Sequence, residues 1–282
     1  MTEVRQQVQR ANWRDLGIRT LSSAILIPLI LLDVWIGGIW IRLLVAVLAV
    51  MMAYEWCTIV HKQSSAQFAL HAAGGLCGAF LTLAADWPAT LVSLAVISLL
   101  SIGLAVRQRR ELSLWALMGV GYVGLPAMAW VFLRGDTHAG MLTLVWLLVV
   151  VWAADSCAYF AGRVIGGAKL APRISPNKTW AGLWGAVGGG AAAGLVMAHW
   201  TISAGLLALV ALGGFLAVVE QLGDLFESAL KRHYGVKDSG RLIPGHGGVL
   251  DRVDGLVAAS LCLAAIVIVA RLFGNGNDLF VQ

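Results

Sequence analysis

The sequence predicts an all-α, polytopic membrane protein, and three observations predict it. Hydrophobic residues fill 59% of the 282 positions and charged residues only 12%, where a soluble domain carries about 25% charged. Apolar runs of bilayer length, roughly 17–25 residues, recur at about 20–36, 39–57, 67–85, 89–106, 112–133, 140–161, 181–199, 204–222 and 253–272. They give nine transmembrane helices. The third observation is where the basic residues fall. With the N-terminus in the cytoplasm, the inner segments hold Arg5, Arg10, Arg14, Arg19, Lys62, Arg107, Arg109, Arg110, Arg163, Lys169, Arg173, Lys178, Lys231, Arg232, Lys237, Arg241 and Arg252. Only Arg42, Arg134 and Arg271 of the 20 basic residues fall outside. Excess Lys and Arg on cytoplasmic loops is the ordinary orientation signal, so the N-terminus is expected inside and the C-terminus outside. The same bias explains the net charge of +5 without nucleic acid as a partner.

The first run follows an Arg-bearing polar stretch, and no small-residue cleavage site closes it. It reads as a retained span rather than a signal peptide. Gly37 and Gly38 alone part it from the second run. Residues 1–110 offer spans and short loops, and Arg107-Gln108-Arg109-Arg110 reads as a topology determinant, with anionic lipid as the other use of such a cluster. Residues 111–282 read as the catalytic membrane region, with cytoplasmic loops 162–180 and 223–252. Cys57, Cys77, Cys157 and Cys262 sit in or beside apolar segments without metal-ligand spacing, so they read as small buried hydrophobes.

The chemistry begins near the end of the sixth run, at Trp152 to Arg163. Asp155 lies about two turns inside the cytoplasmic end, and an intramembrane carboxylate is a functional candidate by default. Lys169 to Gly182 follows, with Pro172, Ser175, Pro176, Asn177, Lys178 and Thr179. Its prolines and small hydroxyl residues predict a re-entrant or interfacial loop, with Ser175, Asn177, Lys178 and Thr179 placed to donate to a lipid phosphate. In the seventh run Gly185, Gly188, Gly189, Gly190 and Gly194 allow close helix approach, read as internal packing ahead of self-association.

Residues 220–255 form the one long polar stretch. On a helix Glu220, Asp224, Glu227 and Lys231 fall at i, i+4, i+7 and i+11, which is one face. Asp251 and Asp254 share a face of the next helix. Between them runs a loop with Lys237, Arg241, His246, Gly247 and Gly248. Two acidic clusters joined by a basic, glycine-rich loop suit a divalent cation held against phosphates, since Mg²⁺ commonly takes one or two carboxylates plus substrate phosphate.

Taken together, Ser228-x-x-Lys231-Arg232, Lys237-Asp238, Pro244-x-His246-Gly247-Gly248 and Asp251-Arg252-x-Asp254 resemble the signature of the phosphatidate cytidylyltransferases, or CDP-diacylglycerol synthases. Asp155 to Arg163 and Ser175 to Gly182 resemble two further motifs of that family. The motifs cover about the last 130 residues. Ala181 stands where the family usually has Glu, and Gly166-Gly167 where it usually has Gly-Lys.

The resemblance implies transfer of the cytidylyl group of CTP to phosphatidic acid, at the cytoplasmic face of a bacterial inner membrane, for phospholipid biosynthesis. It implies Mg²⁺ on Asp224 and Asp251, with Asp254 as a ligand or support, and a second, monovalent cation. Lys231, Arg232, Lys237 and Arg241 would neutralise CTP phosphates, and His246, Gly247 and Gly248 would approach them. Partners are then CTP, phosphatidic acid and the bilayer, with a homodimer also open. Rival readings are a CTP-dependent lipid or polyprenol kinase, and a cation-coupled transporter using Asp155, Glu220 and Asp224.

Overall fold

Nine helices run through the described residues of the computed structural model, which are residue 20 and residues 22–273 apart from 63, 83–86, 109–112, 202–204, 244 and 246. Arg5, Arg10, Arg14, Arg19, Arg109, Arg110 and the loop residue His246 lie outside them. The helices are α1 (Ser22–Ile36), α2 (Gly38–Val60), α3 (Ser65–Leu81), α4 (Trp87–Arg107), α5 (Ser113–Arg134), α6 (His138–Val164), α7 (Trp180–Trp200), α8 (Leu206–His233) and α9 (Leu250–Leu272). Each overlays one apolar run of the sequence. Seven are long and apolar enough to cross a membrane. The two shorter ones are α1 and α3, the latter of 17 residues, about 26 Å at 1.5 Å per residue against a hydrocarbon core of about 30 Å.

The helix boundaries differ most at α8, which runs from its apolar half on to His233. The acidic and basic residues beyond Leu222 continue the helical face, so the polar stretch is helix and not loop through its first third.

Helices α2 to α5 pack together, and α6 to α9 pack together; α5 also meets α6 and α9, and α2 meets α9. The core at this seam holds Ala49, Met52 and Trp56 of α2, Val123 of α5, Trp146 of α6 and Leu250 of α9. Outward, Leu99, Trp184 and Leu207 stand exposed, as side chains facing lipid tails do. Of the five α7 glycines, Gly185, Gly189, Gly190 and Gly194 are used internally, while Gly188 faces open space. A Cβ on Gly189 would stand 2.6 Å from the Ala153 carbonyl of α6, while Gly190 and Gly194 press on the α8 backbone at Gly213 and Leu209.

The three basic residues on the sparse side each have a local task. Arg42 donates to the carbonyls of Ala79 (3.2 Å) and Thr82 (2.8 Å), closing the end of α3. Arg134 donates to the carbonyls of Val34 (2.5 Å) and Trp35 (3.1 Å), satisfying α1 where Gly37 and Gly38, both at positive φ, break the chain. Arg271 lies 5.0 Å from the Phe132 ring centre. All four cysteines are free.

Between α6 and α7 the chain forms a two-stranded antiparallel hairpin, β1 (Lys169–Ala171) and β2 (Ser175–Thr179), with Lys169 opposite Thr179 and Ala171 opposite Ser175. The sequence predicts an irregular loop here. Pro172 and Arg173 instead make a turn, closed by the Ile174 N–H on the Ala171 carbonyl at 3.1 Å. Pro176 is tolerated because both strands are edges.

Candidate active site

Helices α8 and α9 bring the acidic residues together because glycines let them approach. A Cβ on Gly223 would stand 2.6 Å from Ala258 Cβ and 2.7 Å from the Asp254 carbonyl. One on Gly255 would stand 2.7 Å from Glu220 Oε1. With no side chain at either place, Asp254 comes within charge range of Asp224 and of Asp155 on α6. Asp155 itself comes within hydrogen-bond reach of Glu220 and feels Asp224, Lys178 and Arg252. Glu220 is buried and accepts from Gln221 Nε2 at 2.9 Å. Four carboxylates from three helices thus share one polar spot.

The hairpin supplies its main counter-charge. Lys178 Nζ lies 2.7 Å from Asp224 Oδ2 and 3.3 Å from the Gln221 carbonyl. Asp224 Oδ1 accepts from Ser228 at 3.2 Å. Thr179 is buried and its hydroxyl accepts from the Gly182 N–H at 3.0 Å, the N-cap of α7. The hydroxyl hydrogen is left to donate, and Thr179 lines the cavity. Ser175 opens β2, and Asn177 stands exposed beside Lys178. A cavity of about 480 Å³ is lined here by Asp155, Tyr159, Arg163, Asn177, Lys178 and Asp224, among others.

A second polar cluster lies where α8 ends and α9 begins. Lys231 Nζ pairs with the buried Glu227 one turn back and with Asp251 Oδ1 at 2.6 Å. The other oxygen of Asp251 accepts from the Ser239 N–H (2.9 Å), the Ser239 hydroxyl (2.9 Å) and the Gly248 N–H (3.1 Å). Arg232 is exposed and reaches the Ile174 carbonyl of the hairpin turn at 3.4 Å. Lys237 and Arg241 are exposed on the loop. Gly247, at φ +85°, bridges to Ile243. Gly248 is buried, and the space its side chain would need is held by Ser239 and Glu55, so that glycine serves protein packing and not a close phosphate.

The structure therefore divides the expected metal set of Asp224, Asp251 and Asp254. Asp254 lies within charge range of Asp224, Asp155 and Lys231, while Asp251 has both oxygens engaged by Lys231, Ser239 and Gly248. Among the described residues no group of three His, Cys, Asp or Glu side chains already converges as an ion site.

Three participants were not singled out from the sequence. Glu55 of α2 is fully buried and bonds to the loop before α9; a carboxylate inside an apolar run was its signal. Ser239 links Glu55 to Asp251, and a loop serine gives no signal. Tyr122 of α5 stacks on Trp56 at 5.3 Å and feels the charges of Asp254, Glu227 and Asp224. Glu55 thus joins residues 1–110, expected to offer spans and short loops, to the loop and helix that carry Ser239 and Asp251.

The chain is 40% identical over 249 residues to the phosphatidate cytidylyltransferase of Brucella suis, covering 88% of this chain and 92% of that one. It is 35% identical over 247 residues to that of Staphylococcus haemolyticus, covering 84% and 93%. With the Bacillus subtilis protein of the same name the match is 45% over 138 residues, about half of each chain. The profile of the Cytidylyltransferase family matches residues 17–270. A match over most of the chain, reaching from α1 through the clusters on α8 and α9, places this protein in the cytidylyltransferase family.

Proposed function

We propose that the protein transfers the cytidylyl group of CTP to phosphatidic acid, giving CDP-diacylglycerol and pyrophosphate. The site would face the cytoplasm at a bacterial inner membrane, in a nine-span fold whose catalytic side chains come from residues 111–282. The observation that carries this reading is the cavity between α6, β2 and α8. Asp155, Asp224 and Lys178 line it together with the apolar Ala158 and Leu183 and the exposed Tyr159. That combination suits a substrate with a charged head and apolar tails.

The lipid phosphate would lie against Lys178 and Asn177, with Arg163 at the rim. Arg232, Lys237 and Arg241 would steer and neutralise the triphosphate of CTP from the loop side. The attacking oxygen belongs to an anionic phosphate at neutral pH, so the protein need not supply a strong base. Its residues hold the lipid oxygen and the α-phosphorus in line and offset charge on the departing pyrophosphate.

The donor chemistry fits Mg²⁺, a hard cation that takes oxygen ligands. Carboxylates of Asp155, Asp224 and Asp254 lie within charge range of one another, with Lys178 paired to Asp224. Asp224 and Asp254 would hold the ion, and Asp251 would join them on giving up Lys231. Bound there, Mg²⁺ would neutralise phosphate charge at the reacting centre.

The test is pyrophosphate release by the purified protein in detergent with CTP, phosphatidic acid and Mg²⁺, each omitted in turn. Release that needs all three, with CDP-diacylglycerol formed, is the expected result. CDP in place of pyrophosphate would mean a CTP-dependent kinase, and no turnover would sink the assignment.

A further inference from the structure

Glu55 lies in the C-terminal third of α2, in the half of the chain without motifs, and is 1% exposed. Its carboxylate accepts from the Val249 N–H at 2.9 Å, the Leu250 N–H at 2.8 Å and the Ser239 hydroxyl at 3.0 Å. The two N–H groups belong to the start of α9, where Val249 makes no side-chain cap of its own. A helix N-terminus carries unpaired donors and partial positive charge, so a carboxylate from α2 does the work of an N-cap.

The bond to Ser239 extends further. The same hydroxyl lies 2.9 Å from Asp251 Oδ2, and the Ser239 N–H donates to that oxygen as well. A hydroxyl has one hydrogen to give, so Ser239 serves Glu55 or Asp251 while its oxygen stays between them. Beyond Asp251 lie Lys231 and then Glu227. The neighbouring glycines fit this carboxylate. A Cβ on Gly240 would stand 2.5 Å from Glu55 Oε1, and one on Gly248 would stand 2.7 Å from both oxygens.

We propose that Glu55 is a positioning residue for cytidylyl transfer: by fixing Ser239 and the first turn of α9 it sets the carboxylate of Asp251, and with it the Lys231 ammonium. The inference rests on the assignment of Asp251 and Lys231 to the reaction. It gives α2 a part in the reaction without contact with either substrate. A buried carboxylate with three donors would be retained for stability alone if it served only to tie α2 to α9. Kinetics separate the two roles.

The experiment compares the full-length parent with Glu55→Gln, Ser239→Ala and the double variant, as purified folded protein, measuring kcat and both KM values alongside thermal unfolding. Gln keeps the volume of Glu but turns an amide towards N–H donors. Expected is a fall in kcat of about tenfold or more for Glu55→Gln, the scale of a lost charge-assisted hydrogen bond, with both KM values within about threefold. Ser239→Ala should lose kcat in the same way, and the double variant no more than the worse single one, because residues acting in one chain are not additive. Parent-like kcat in Glu55→Gln, or losses that multiply in the double variant, would overturn the proposal. If Glu55→Gln does not fold, Ser239→Ala decides, since it changes only a loop hydroxyl, and parent-like kcat there is equally fatal. Asp251→Asn is the arm that separates the two failures. If it keeps parent kcat, the site assignment fails and takes the positioning role with it; if it is dead while Glu55→Gln is unaffected, the positioning role alone fails.

Discussion

Lys178 and Asp224 stand 46 residues apart in the chain yet meet at 2.7 Å, tying β2 of the hairpin to the polar face of α8. The pair is 15% and 30% exposed and lines the cavity that a charged headgroup would enter. The lysine therefore has two partners available, its own aspartate and an incoming phosphate.

Lys178→Ala should raise the KM for phosphatidic acid by about tenfold to a hundredfold, the worth of a hydrogen bond to a charged group. Steady-state kinetics with lipid and CTP varied separately would check this. An effect confined to the KM for CTP would assign the hairpin to the nucleotide.

Asp224→Asn and Asp254→Asn should each reduce turnover about a thousandfold or more while the protein still reaches the membrane. Removing a charge aimed at the transition state costs on that scale. The same preparations should show weakened Mg²⁺ dependence in a titration from chelator-treated protein. An active Asp224→Asn would remove it from the ion site.

Lys231→Met should destabilise the fold by about 3–5 kcal/mol, because Glu227 is left buried without its partner. Glu227→Gln combined with Lys231→Met should regain most of that stability and none of the activity. Thermal unfolding in detergent and turnover would be read on the same samples. Recovered activity in the double variant would make Lys231 a structural residue only.

Gly223→Ala should force α8 away from α9, since its Cβ would stand 2.6 Å from Ala258 Cβ. A loss of about 1–3 kcal/mol of stability should come with a fall in activity as Asp224 and Asp254 separate. Gly188→Ala, whose Cβ meets nothing within 4 Å, is the control and should match the parent.

The helices were legible because their signal is local. Each apolar run became a helix within a few residues of its expected ends, and α8 outran its own because Glu220, Asp224, Glu227 and Lys231 keep helical spacing. The hairpin was less legible: Pro172 and Pro176 spoke against a helix, but strand pairing depends on which residues face each other across the turn. The division of the carboxylates could not be read at all. Asp251 and Asp254 are three residues apart on one helix, yet Asp251 is held by Lys231 and Ser239 while Asp254 accepts from the Gly255 N–H.

By itself, then, the sequence determined the apolar helices, their order and the family, since hydropathy and motif spacing are properties of short segments. The tertiary structure alone decided which of those residues meet. Burying a carboxylate requires donors close by, and for Glu55 they come from a loop and a helix start nearly two hundred residues later. No local pattern encodes that pairing, because it depends on α2 and α9 lying side by side.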